Sequence, residues 1–325
     1  MNVDYWKEKS VFVTGATGFL GGWLTRELTE AGARVVTIER DYEPHSCFYS
    51  FGLDKKARIV KGDIINFLLM ERIFNEYEVE LCFHLAAQPL VPIANRSPLS
   101  TFESNMRGTW NILEAARRSV LKPKVVVASS DKAYGNSRDL PYRETHPLRG
   151  SHPYDVSKTC SDLLAQSYFT TYNLPVAIVR CGNFYGGGDF NWSRIIPGTM
   201  KAIIFNQNPT VRSDGKLLRD YFFIKDVVGA YLSVGERMDD EKIYGEAFNF
   251  GMEMPVSVLD LVRKMITLSG KTNLVPQVMG VNHGEIPEQF LCTEKARTVL
   301  GWRPQYTLER GLGLTYEWYK DFFKK

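Results

Sequence analysis

Two short stretches carry the residue types that do chemistry. Ser129-Ser130-Asp131-Lys132-Ala133-Tyr134-Gly135 closes an apolar run and puts a hydroxyl, a carboxyl and an amine on three consecutive residues. Tyr154-Asp155-Val156-Ser157-Lys158 puts a phenol and an amine four apart, on one face if the segment is a helix. An ammonium beside a phenol favours phenolate and is expected to lower the tyrosine pKa, so the pair can pass a proton near neutral pH. Alone, such a pair is a common helix accident. Its weight comes from a Ser-rich strand end 24 residues earlier, Ser130 to Tyr154, and from a cofactor signal at the chain's start.

That signal is Thr14-Gly15-Ala16-Thr17-Gly18-Phe19-Leu20-Gly21. It follows an apolar strand and opens a helix, as a dinucleotide turn must. The glycines allow a tight turn, close approach of backbone to pyrophosphate, and close packing of helix on strand. Gly15, Thr17, Gly18, Phe19 and Leu20 are the expected cofactor contacts. Glu39 stands 24 residues after Gly15, where an acid can bond the adenosine ribose and disfavour a 2′-phosphate. Arg40 follows it and is the group that would favour NADP, so NAD is expected and NADP is the lesser alternative. Asp63, with Ile64, is placed to meet the adenine; a turn acid at a strand end is the other reading.

The elements that must position these groups alternate. Strands are expected at Val11–Thr14, Arg34–Ile38, Arg58–Val60, Leu81–Leu85, Lys124–Ala128 and Val176–Val179, with helices at Gly21–Ala31, Asn66–Tyr77, Leu99–Ser119 and Ser157–Tyr172. Short buried strands alternating with amphipathic helices predict an α/β fold, a doubly wound parallel Rossmann sheet covered on both faces. Beyond Arg180 the regularity fails, then returns as a strand and helix over Tyr221–Glu236. The expected division is a cofactor domain over 1–182, rejoined by 217–250, and a smaller substrate-binding α/β domain from 183–216 and 251–325. Substrate then binds in the cleft between them.

Composition removes other classes. The 325 residues are 44% apolar and 24% charged, and 40 basic against 37 acidic residues leave a formal charge of +3 with no long run of one sign. Nucleic-acid and membrane-surface roles therefore have no support. Five cysteines without a CxxC spacing argue against a disulfide framework and a zinc site, so no metal is expected. The acidic start, MNVDYWKEKS, is unlike a signal peptide, and the longest uncharged stretch falls short of a membrane helix. A cytoplasmic protein is expected.

With TGATGFLG, His84-Leu85-Ala86-Ala87-Gln88, Asn105 in a helix, Ser129-Ser130, YDVSK and Arg219-Asp220-Tyr221 in order, nearly the whole chain resembles the extended short-chain dehydrogenases that modify nucleotide sugars. The resemblance implies that Tyr154 deprotonates the sugar 4-hydroxyl, Ser130 holds that hydroxyl, hydride leaves C4 for NAD, and Lys158 holds the nicotinamide ribose. It further implies cofactor contacts at Leu85, Ala86, Ala87, Asn105 and Ser129, and substrate contacts at Gln88, Asn183, Arg194 and Arg219. The substrate would be a nucleotide diphosphate sugar and the cofactor, regenerated each cycle, would stay bound. A homodimer through the helices 99–119 and 157–172 is also implied, although Phe102, Trp110, Leu163 and Phe169 could equally be core.

Asp131-Lys132 separates the members of this family. Its 4-epimerases usually have small or apolar residues there, whereas its 4,6-dehydratases need an acid for the departing C6 hydroxyl and a base for the C5 proton. Ser130-Asp131-Lys132 is similar to the CDP-glucose 4,6-dehydratases. Lys132 can serve as a base only if burial or another cation depresses its pKa. Arg219-Asp220-Tyr221-Phe222-Phe223-Ile224 departs from the Arg-Pro-Trp-Gln-His of that subfamily, which leaves the nucleotide base open. A 4-epimerase, a surface Asp131–Lys132 ion pair, and a non-catalytic NAD(P)-binding scaffold are the competing readings; intact Tyr154 and Lys158 speak against the last.

Overall fold

The computed structural model describes residues 1–281 and 286–324. Its centre is a sheet of seven parallel strands. In chain order the strands are β1 (Ser10–Thr14), β2 (Arg34–Glu39), β3 (Arg58–Lys61), β4 (Leu81–His84), β5 (Lys124–Ala128) and β6 (Val176–Cys181). Short strands follow: β7 (Asn183–Tyr185), β8 (Thr210–Val211), β9 (Leu218–Arg219) and β10 (Tyr221–Phe223). Then come β11 (Ala247–Phe250), β12 (Val256–Ser257), β13 (Gln277–Val278) and β14 (Glu288–Gln289). The large sheet runs β11-β6-β5-β4-β1-β2-β3, so the winding reverses between β1 and β4. Ligands in such sheets bind outside the carboxyl ends of the strands at that point.

Side chains alternate across the pleat and build two cores. Val11, Val13, Phe83, Val126 and Val179 face one core with the helices Phe19–Glu30 and Ile224–Arg237. Phe12, Val36, Cys82, Val125 and Ile178 face the other, closed by Phe67–Glu76, Gly108–Arg118 and Pro153–Tyr172. Both faces are dry, which is why the strands read as unbroken apolar runs.

Two features differ from the sequence reading. The helix expected over Leu99–Ser119 runs as Pro98–Phe102, a π-turn at Glu103–Arg107, and Gly108–Arg118. The widened turn contains Asn105, whose side chain is engaged elsewhere, as described below. The sheet also has a seventh strand, β11, which pairs parallel with β6 from Ala247 against Ile178 to Phe250 against Cys181. Smaller sheets lie beyond it: β10 beside β7, β13 beside β8, and β9 between β12 and β14. The helices Ile195–Ile204, Val258–Ser269 and Leu308–Phe322 pack around them. Among the described residues no helix is long and apolar enough to cross a membrane.

Candidate active site

A cleft of about 1580 Å³ runs from the end of β1 past β5 and β6 to β8 and β9. At its first end lies the glycine turn. Gly15 has φ +73, and a Cβ there would come within 2.9 Å of the Ala86 backbone; one on Gly21 would lie 2.0 Å from the Gly15 carbonyl. Turn, helix start and the segment after β4 are thus packed backbone to backbone. No side chain caps the helix at Gly18, so its first N–H groups are left for an anion. This cradle fits a dinucleotide pyrophosphate, and Gly15, Thr17, Gly18, Phe19 and Leu20 all line it. Asp63, Ile64, Leu85, Ala86, Ala87 and Ser129 line the same wall.

Three expected contacts are not on that wall, and each correction has a local cause. Glu39 is opposite Lys61 in the β2–β3 register. Its buried carboxylate is ion-paired to Lys61 and accepts from Tyr49 Oη at 2.6 Å. Pleat alternation sends Ile38 to the cleft and Glu39 away from it. The acids that do reach the wall are Asp41, paired with Arg40 at 2.6 Å, and Glu43, both missed from the sequence. Both lie beyond the end of β2, where the alternation that turns Glu39 away no longer holds, so no strand pattern pointed to them. Asn105 is buried: its Oδ1 accepts from Gln88 N at 2.6 Å, and its Nδ2 donates to Ser157 Oγ at 2.8 Å and Gln88 O at 3.2 Å. It braces the segment after β4 against the Tyr154 helix. Gln88 turns its Oε1 back onto Leu90 N at 3.1 Å.

A buried polar chain continues this bracing. Thr14 Oγ1 accepts from the Leu85 and Ala86 amides, each at 3.1 Å, and meets His84 Nδ1 at 2.9 Å; His84 Nε2 meets Thr109 Oγ1 at 3.0 Å. Burial, with the Lys158 charge adding to it, pushes the imidazole down to about 3. His84 is therefore a neutral spacer between the glycine turn and the helical wall.

Tyr154 and Lys158 stand in the first turns of Pro153–Tyr172. Lys158 is buried, donates from Nζ to Ala128 O at 2.8 Å, and is pushed down to about 8, mainly by loss of solvation. Tyr154 shows the opposite of the expected shift. Its enclosure pushes the phenol up to about 12, with the Ser130 hydroxyl opposing and the Asp131 charge adding to it. The groups that oppose that desolvation are the Ser130 hydroxyl and the Arg194 charge.

Beside them β5 ends in a turn of 3₁₀ helix, Asp131–Tyr134, capped by Ser130 Oγ, which accepts from Lys132 N at 3.2 Å and donates to Asp131 Oδ1 at 3.0 Å. Asp131 is 4% exposed, and its Oδ2 has no partner. Burial raises its pKa against the pull of Lys132, Ser130 and Arg219. Asp131–Lys132 is thus no surface ion pair. Lys132 Nζ donates to the side-chain oxygen of Gln289.

The turn is held by a second network. Arg180 on β6 pairs bidentately with Asp162, both bonds 2.8 Å, and donates to Tyr134 Oη at 2.8 Å; Tyr134 in turn donates to Asn249 Oδ1 at 2.7 Å. The Asp131 turn and the Tyr154 helix are thereby tied through one buried guanidinium.

Toward the far end, Asn183, Arg194 and Arg219 line the cleft. The Asn183 Nδ2 is buried without a partner, as an amide awaiting an oxygen would be. Arg194 pairs with Asp189 at 2.9 Å, and Arg219, 5% exposed, donates to Leu218 O at 2.8 Å and Pro287 O at 3.2 Å. Asp220 faces away and accepts the Met252, Glu253 and Met254 amides; burial pushes it up to about 6. Among the described residues no group of His, Cys, Asp and Glu could hold a metal ion.

Comparison with known proteins agrees with this geometry. A family model described as GDP-mannose 4,6 dehydratase matches residues 12–315. The CDP-glucose 4,6-dehydratase of Salmonella typhimurium strain LT2 is 33% identical over 336 residues, covering 99% of this chain and 93% of that protein. The crystal structure of UDP-glucose 4-epimerase from Thermotoga maritima with UDP-glucose superposes with TM-score 0.88 at 27% identity, over 97% of this chain and 99% of that one. The dTDP-glucose 4,6-dehydratase of Streptomyces venezuelae, solved with NAD bound, gives TM-score 0.86 at 25% identity over 96% and 97%.

Proposed function

The chain belongs to the GDP-mannose 4,6 dehydratase family, and from that premise we propose that it is an NAD-dependent nucleotide-sugar 4,6-dehydratase acting on a CDP-linked hexose. The observation that carries this reading is the buried Asp131 and the half-buried Lys132 that follows it, both lining the cleft beside Tyr154. A 4-epimerase has no step that needs a proton-donating carboxyl there.

When bound, NAD would supply the hydride acceptor for C4 of the sugar and the hydride donor for C6. Tyr154 is the acceptor of the 4-hydroxyl proton, for which its phenol must ionise against burial, as the positive charge of bound NAD and of Lys158 would favour; Ser130 would hold that oxygen and Lys158 the nicotinamide ribose. The 4-ketone makes the C5 proton acidic. Lys132 removes this proton, its electron pair forms the C5–C6 double bond, and the C6–O bond breaks. Asp131, whose pKa burial raises, gives its proton to the departing hydroxyl, which leaves as water. Lys132 returns its proton to C5 as C6 is reduced, and the proton taken up by Tyr154 balances the one Asp131 released. The product is a 4-keto-6-deoxy sugar nucleotide.

Around this centre we assign the adenosine ribose to Asp41 in place of Glu39, and the sugar diphosphate to Asn183, Arg194 and Arg219, which offer an amide and two guanidinium forks to phosphate oxygens. Residues 183–216, with 251–281 and 286–324, make up the sugar-nucleotide side of the molecule in this reading. Two copies pair through the helices Gly108–Arg118 and Pro153–Tyr172, where Trp110 is 40% and Leu163 50% exposed. The reading is tested by incubating the protein with CDP-, UDP-, GDP- and dTDP-hexoses and weighing the products. Loss of water from the CDP-hexose is expected; a change of C4 configuration without loss of water would replace it with an epimerase.

A further inference from the structure

Lys132 is the group on which elimination depends, and its four-carbon stem allows many placements of the amine. One side chain that selects among them lies far away in sequence. Gln289 is fully buried, and its Oε1 accepts from Lys132 Nζ across 157 residues. The other half of the amide, Nε2, is buried with no partner, so the glutamine is kept despite an unsatisfied donor. Its strand is fixed on two sides. In β14, Gln289 is the register partner of Arg219 on β9. Just beyond, Tyr142 N donates to Phe290 O at 3.0 Å and Cys292 N donates to Tyr142 O at 2.8 Å. Tyr142 Oη reaches back to Gly135 O at 2.6 Å, at the end of the turn that begins with Asp131.

We propose that Gln289 is a positioning residue for the elimination step: it holds the Lys132 amine at the C5 proton and ties that placement to the strand carrying Arg219. This rests on the dehydratase reading above. The hydride step runs through Tyr154, Ser130 and Lys158 and does not involve Gln289, so the two steps should separate when it is changed.

The test compares wild type, Gln289→Met and Gln289→Glu with CDP-glucose, following reduced-nicotinamide absorbance and keto product in single turnovers. Gln289→Met is expected to form reduced nicotinamide at the wild-type rate, then to accumulate it, because product formation slows about 10- to 100-fold with KM unchanged. Gln289→Glu restores an acceptor oxygen. It is expected to recover elimination at a pH above the wild-type optimum, because a new carboxylate joins Asp155 near the amine and favours its ammonium form. Retained hydride chemistry shows that each variant is folded. Wild-type elimination in Gln289→Met, equal slowing of both steps, or no recovery in Gln289→Glu at any pH would overturn the proposal. If the wild type releases no keto product from any hexose nucleotide, the dehydratase reading falls first and this inference with it.

Discussion

Asp131 and Lys158 show how burial turns ordinary side chains into specialised ones. Burial raises the pKa of the Asp131 carboxyl, the direction the proposed proton donor needs. Asp131→Asn is expected to lower product formation by about 10²- to 10⁴-fold while hydride transfer from C4 persists, measured as reduced nicotinamide formed without keto product. Lys158 has its pKa lowered from 10.5 to about 8, so between those values the unfolded chain binds more protons than the folded one. Stability therefore rises with pH through that window, and below it the folded state carries the full cost of a buried ammonium. Lys158→Met should lose activity yet gain about 1–2 kcal/mol of stability at pH 7. The gain should shrink as pH passes from about 8 to 10.5, read by chemical denaturation of cofactor-free protein.

At the scale of elements, the glycine turn and the helix Phe19–Glu30 act as one piece. A methyl group on Gly21 would sit 2.0 Å from the Gly15 carbonyl, a backbone atom that cannot swing aside. Gly21→Ala is expected to push the helix start off the turn and to abolish retention of NAD. Denaturing freshly purified protein and assaying the supernatant for NAD, near one equivalent for wild type, measures this. The alternation of strands and helices was plain in the sequence because each strand is apolar on both faces. The π-turn at Asn105 was not, because it depends on the amide reaching both Gln88 and Ser157. Glu39 was misplaced for a similar reason: its distance from Gly15 suited a ribose contact, but cross-strand Lys61 and Tyr49 capture it.

For the whole molecule, the pairing of two copies sets the remaining prediction. Trp110 and Leu163 leave apolar surface open on neighbouring helices, while Phe169 packs into the core. Replacing Leu163 by Glu puts a charge in the proposed contact, where it would be desolvated without a partner. The variant should elute as a monomer in light scattering, whereas wild type elutes as a dimer; a monomeric wild type would refute the pairing.

Read alone, the sequence determined the class of fold and set Tyr154 and Lys158 one helical turn apart, because strand periodicity, the glycine turn and the Tyr154–Lys158 spacing are local properties that residues a few positions apart impose on each other. It also singled out Asp131-Lys132 as the place where members of the family diverge. Tertiary structure decided what those residues can do. Only packing could bury Asp131, drive Tyr154 up rather than down, turn Glu39 away from the cleft in favour of Asp41, and bring Gln289 to Lys132. Desolvation and long-range hydrogen bonds depend on which distant segments meet, and no local spacing encodes that.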